Sequence, residues 1–136
     1  MKKIVLALAL VGSLSLANTY TKEDRINDMH DMAEAMNTIQ SGFFYNNYDT
    51  VSTGVTSLSA AIAKVKPPME EEDDKDAMAQ YMNVKVKMTN KIVKSINEKA
   101  LTILQRFKNG DSAQAAQAYT KIMGQCMKCH REIRHW

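Results

Sequence analysis

Four stretches of the chain place apolar residues at steps of three and four, the repeat of an α-helix with one buried face. The first begins near Thr21, where Thr21 and Asp24 have capping-box spacing with Asp in place of Glu. Ile26, Met29, Ala33, Met36, Ile39 and Phe43 make its apolar stripe, and Asn27, Asp28, Asp31 and Glu34 fall on other faces. The second starts at an Asp49 N-cap and runs to Lys66, with Val51, Val55, Leu58, Ile62 and Val65 inward. Its Ser, Thr and Gly54 content gives poor helix propensity, so packing must hold it. Pro67-Pro68 stops it. The acidic run from Met69 to Asp76 reads as a solvated connection grading into the next helix start, where acids suit the dipole. The third helix runs from about Asp76 to Lys108 on a stripe of Met82, Val86, Val93, Ile96, Ala100, Ile103, Leu104 and Phe107. Asn109-Gly110 closes it, and Asp111 or Ser112 caps a fourth helix from Ala113 towards His135. Ala115, Ala118, Tyr119, Ile122, Cys126, Cys129 and Ile133 lie within its inward arc.

Four amphipathic helices with mostly short connections predict an all-α fold, an antiparallel up-down-up-down four-helix bundle. In that topology the start of helix one and the end of helix four share one end. Five Gly and two Pro in 136 residues are too few turn signals for a many-stranded β fold. The length suits one domain and excludes a barrel enzyme or a two-domain nucleotide-binding enzyme.

The first residues stand apart from this pattern. Met1-Lys2-Lys3 is basic, Ile4 to Leu16 is apolar apart from Gly12, Ser13 and Ser15, and Ser15-Leu16-Ala17 offers small residues for cleavage. Residues 1–17 therefore read as a secretory signal peptide and 18–136 as a single domain exported to a bacterial periplasm. A run of about thirteen apolar residues falls short of the roughly 20 a spanning helix needs. No later stretch is long enough either, so no membrane anchor is expected after cleavage. The formal charge of +3 is too small to argue for nucleic acid, and it drops towards neutrality without Lys2 and Lys3. The third helix carries seven basic residues, among them Lys85, against the single acid Glu98. They read as a solvated outer face, with a docking face for an acidic partner as the sharper alternative.

The chemistry lies at the end of the fourth helix. Cys126-Met127-Lys128-Cys129-His130 is C-x-x-C-H, the pattern of c-type haem attachment. Two thiols within one helical turn can each form a thioether to a haem vinyl group, and the adjacent His130 can serve as axial ligand. A disulfide here would close too short a loop to constrain much. A thioredoxin-type pair wants a strand before it and the start of a helix. A structural zinc site wants four ligands, and the spacing of His30 and His135 to this motif matches no zinc pattern. One motif implies one covalent haem c.

Placed near the C-terminus of a four-helix chain, this motif resembles the cytochrome c′ family. The resemblance spans essentially the whole of 18–136. That family carries an Arg four residues after the haem-binding His, and Arg134 stands there. It also carries an Arg in helix one four residues before the distal residue, which Arg25-Ile26-Asn27-Asp28-Met29 matches. The resemblance thus implies His130 as proximal ligand, Met29 over the distal haem face, and Arg25 and Arg134 at the haem propionates. It also implies a homodimer through the first two helices as one expected assembly.

The distal residue separates the functions. In the low-spin relatives a Met ligates the iron, and the protein transfers electrons to and from redox partner proteins. In cytochrome c′ proper the distal residue is apolar, and the five-coordinate iron binds nitric oxide or carbon monoxide. Met29 favours the first reading, although Met29, Met32 and Met36 also form a stripe suited to plain core packing. His30 lies about 100° round the helix from Met29 and suits the surface. His135 shares a helix with His130 and cannot reach the opposite face; Met78 and Met82 suit the core, and Tyr81 and Trp136 the haem edge. A remote alternative is a haem-free, Met-rich copper-binding module using Met29, His30, Met32 and Met36. No catalytic base or nucleophile is apparent, so an enzyme is not expected.

Overall fold

In the computed structural model, which describes residues 20–66 and 75–133, the chain's first helix starts as its capping residues dictate. Thr21 Oγ1 accepts from the Asp24 amide at 3.1 Å, and the Asp24 carboxylate accepts from the Thr21 amide at 2.8 Å. Helix α1 then spans Lys22–Phe44. A tight corner follows, with Asn46 in the left-handed region at φ 48°, which Asn tolerates. Asn47 caps α2, Tyr48–Lys64, by accepting from the Thr50 amide at 2.9 Å. The cap is therefore Asn47 rather than Asp49. The helix also ends at Lys64 rather than Lys66, because Val65 is already extended (φ −64°, ψ 124°) ahead of the proline pair.

Helix α3 spans Lys75–Lys108 and α4 spans Ser112–Ile133. Between them Gly110 adopts φ 78°. The Asp111 amide donates to the Arg106 carbonyl at 2.9 Å and the Gly110 amide to Phe107 at 3.1 Å, a Schellman turn. Asp111 Oδ1 then accepts from the Gln114 amide at 3.2 Å and caps α4. There is no strand among the described residues, and the fold is an all-α four-helix bundle. The signal peptide, Pro67-Pro68, most of the acidic connection, Arg134, His135 and Trp136 lie outside the described residues, as do the side chains of Met78 and Met82.

The core is aliphatic, with Ile39, Val51, Leu58, Ile96, Ile103 and Ile122 fully buried. Helices α1 and α2 make the closest pair. A Cβ on Gly54 would stand 2.7 Å from the Ile39 amide nitrogen and 2.9 Å from the Ala35 carbonyl. One on Gly42 would stand 2.7 Å from the Val51 nitrogen. These two glycines let the backbones meet, and that contact rotates α1 relative to its hydrophobic stripe. Its buried face is Asp28, Met32, Ala35, Met36, Ile39 and Gly42, while Ile26 is 42% exposed and Ala33 is exposed as well. Helix α3 differs likewise: Lys85, Thr89 and Ile92 are buried where Val86 was expected.

Successive helices pack on one another, α1 on α2, α2 on α3 and α3 on α4. Among the described residues α1 and α4 make no comparable backbone approach. They are bridged at one end by Phe43, whose ring lies 5.8 Å edge-on to Tyr119 and 5.3 Å from Phe107. No described helix is long and apolar enough to cross a membrane.

Candidate functional site

Where α1 and α4 part, a cavity of about 330 Å³ opens between them. Its α1 wall is Met29, Met32, Ala33, Met36 and Asn37. Its α4 wall is Tyr119, Met123, Cys126, Met127, Cys129 and His130. Ile62 and Val65 of α2 and Ile92 and Ile96 of α3 complete it. The antiparallel order brings the N-terminal half of α1 beside the C-terminal half of α4. Four of the residues singled out from the sequence, Met29, Cys126, Cys129 and His130, thus border one space.

Cys126 and His130 are four apart on α4, and Cys129 is three from Cys126, so all three share one helical face. Both cysteines are half-buried. Burial pushes the Cys126 thiol up, and the neighbouring Cys129 pushes it the same way. Burial also raises Tyr119. Met29 is half-buried, and Met32 and Met36 are buried deeper.

Two charged groups near this end sit where the polar pattern did not place them. Asp28, 6% exposed, accepts from the Tyr20 hydroxyl at 2.5 Å, next to Met29. Burial of Tyr20, then its bond to Asp28, moves that phenol far above its ordinary pKa. Lys85, 8% exposed, is a correction to the solvated basic face. Its ammonium donates to the main-chain carbonyl of Glu132, two residues beyond His130, and lies 5.1 Å from the centre of the Tyr81 ring. A cation at the C-terminal end of α4 complements the helix dipole there.

The other expected residues are less central. Arg25 is half-buried in the first turns of α1 but does not border the cavity, and His30 is exposed and away from it. Tyr81 is occupied by Lys85 and does not line the cavity. Met123 and Met127 are cavity residues that the hydrophobic pattern did not single out. Their spacing to Cys126, three before and one after, was the available signal.

The donor set can be tested against a c-type haem. Two thiols one turn apart border an apolar space, with an imidazole on their side and thioethers on the facing helix. The volume lies within the roughly 300–1,000 Å³ of small-molecule and cofactor sites. These residues fit such a group. A zinc site fits poorly, because no three His, Cys, Asp or Glu side chains among the described residues come together to hold a metal ion. Comparison with protein-family models, with curated proteins and with solved structures finds no match for this chain.

Proposed function

We propose that the chain is an exported monohaem c-type cytochrome of the cytochrome c′ kind that carries electrons between redox proteins in a periplasm. The observation that carries the reading is the meeting of Cys126, Cys129, His130 and Met29 around one apolar cavity between α1 and α4. In this reading Cys126 and Cys129 hold the haem through thioethers, His130 is its proximal ligand and Met29 its distal one. The family resemblance adds Arg25 and Arg134 as partners for its propionates, Arg25 from the first turns of α1. When bound, the haem supplies reversible one-electron chemistry at iron. The chain's own part is to orient that group, to keep water from it with the Ile62, Val65, Ile92 and Ile96 walls, and to set its potential by the Met29 thioether.

The test is export of the full chain in a host that matures c-type cytochromes, followed by mass spectrometry and visible spectra. The expected mass is residues 18–136 plus one haem. The expected spectrum of the reduced protein is sharp, low-spin and unchanged by carbon monoxide. A mass without haem sinks the cytochrome reading. A broad high-spin spectrum that shifts with carbon monoxide keeps the cytochrome but replaces electron transfer by gas binding at an open distal face.

A further inference from the structure

Among the described residues five methionines border this one cavity, together with both of the chain's cysteines. The proposed haem site uses two thiols and one thioether, so four methionines are left without a chemical role. Met29, Met32 and Met36 stand on the α1 wall across the cavity from the cysteines, and Met123 and Met127, 49% and 57% exposed, flank Cys126 on α4. Thiolate and thioether are soft donors, and soft donors select Cu(I). Zinc is ill served, because most donors beyond the cysteine pair are thioethers and, among the described residues, no three His, Cys, Asp or Glu side chains come together to hold a metal ion. Thioethers are also neutral, so a monovalent cation between two thiolates brings only a small net charge into an apolar space.

We propose that before any haem is attached, the cavity binds one Cu(I) ion through the Cys126 and Cys129 thiolates and a thioether from the α1 wall of Met29, Met32 and Met36. Each sulfur–hydrogen bond breaks as a sulfur–copper bond forms, and the two protons pass to solvent. Copper enters and stays as Cu(I), so no electron is exchanged. The ion uses the same two sulfurs as the proposed thioethers, so copper and covalent haem exclude each other. That exclusion rests on the haem reading, whereas the copper site does not.

The haem-free full chain, kept reduced and free of oxygen, is titrated with Cu(I) against a chromophoric Cu(I) chelator. One ion per chain is expected, with both thiols protected from alkylation and with no displacement by equimolar Zn(II). Cys126→Ser with Cys129→Ser is expected to weaken retention at least a hundredfold. The triple variant Met29→Leu, Met32→Leu, Met36→Leu is expected to weaken it tenfold or more, with circular dichroism confirming that its helices persist. Wild-type protein that surrenders all copper to the chelator, or gives it up to equimolar Zn(II), overturns the site. So does a folded triple variant that binds as tightly as wild type. Should that variant not fold, the alkylation and zinc measurements on wild type decide alone. Haem-loaded chain is expected to leave Cu(I) with the chelator, and retention there also overturns the proposal. A chain that never acquires haem but binds Cu(I) as described ends the haem reading and leaves this one standing.

Discussion

Met29 sits half-buried on the α1 wall with Met32 and Met36 one and two turns deeper along the same face. Met and Leu have similar volumes, so Met29→Leu should leave the bundle folded, at a cost below about 1.5 kcal/mol. In the proposed cytochrome it should turn a six-coordinate iron five-coordinate, read as carbon monoxide sensitivity of the reduced spectrum. An unchanged spectrum would move the distal ligand to another side chain. Cys126 offers a prediction that needs no haem. Its thiol is raised by burial and by Cys129, so the folded chain holds that proton more tightly than the unfolded chain does. The associated stability is present below the ordinary thiol pKa and is lost as pH rises through the folded value. Denaturant melts of the haem-free chain should show a falling midpoint through that alkaline range, and Cys126→Ser should flatten the fall. At this scale the motif residues were legible because spacing carries their chemistry: Cys126, Cys129 and His130 read directly. Asp28 and Lys85 did not, because a periodicity count sends every charge outward. Each is buried with a partner outside its own helical stripe, the Tyr20 hydroxyl ahead of α1 for Asp28 and the Glu132 carbonyl of α4 for Lys85.

At the scale of elements, two contacts set the geometry of the site. The α1–α2 contact depends on Gly54, where an added methyl would run into the Ile39 nitrogen and the Ala35 carbonyl. Both obstacles are backbone and cannot swing aside. Gly54→Ala should destabilise the chain by about 2–3 kcal/mol, measured by denaturant midpoint. A neutral result would mean that α2 slides along α1 to make room. The last turn of α4 depends on Lys85. Lys85→Met keeps the apolar stem and removes the charge, and should lose about 1–2 kcal/mol of stability. Amide exchange should speed up selectively around Lys128 to Glu132. Uniform acceleration along α4 would instead show that Lys85 serves general packing. Helix identity was legible from apolar spacing, and the α1 cap from Thr21 and Asp24. The rotation of α1 was not, because the residues that define its close face, Ala35 and Gly42, contribute little to a hydrophobic stripe. The α2 start was missed by two residues for a related reason: Asn47 and Asp49 are both good caps, and only the corner at Asn46 decides between them.

On the scale of the whole molecule, the two helical hairpins join along α2 and α3 and through the Phe43, Phe107 and Tyr119 cluster. Phe43→Ala should loosen that join and lose about 2 kcal/mol, a reduced value for a half-buried ring, read from the thermal midpoint. An unchanged midpoint would show that the aliphatic seam of α2 and α3 holds the hairpins alone. The bundle itself was legible from four amphipathic stretches and their short turns. The parting of α1 and α4 was not, because pattern reasoning gives every helix two neighbours and has no term for a space left between two of them.

That parting has a bearing on the order of events in the cell. A cylinder slit along one side admits a flat plate edge-on, whereas a sealed one must be taken apart and rebuilt around it. With the slit flanked by the cysteines on one lip and Met29 on the other, the proposed cytochrome would finish folding first and be loaded afterwards. On that proposal folding and cofactor delivery would not need to be synchronised, and a pool of finished, unloaded protein would wait for its cargo.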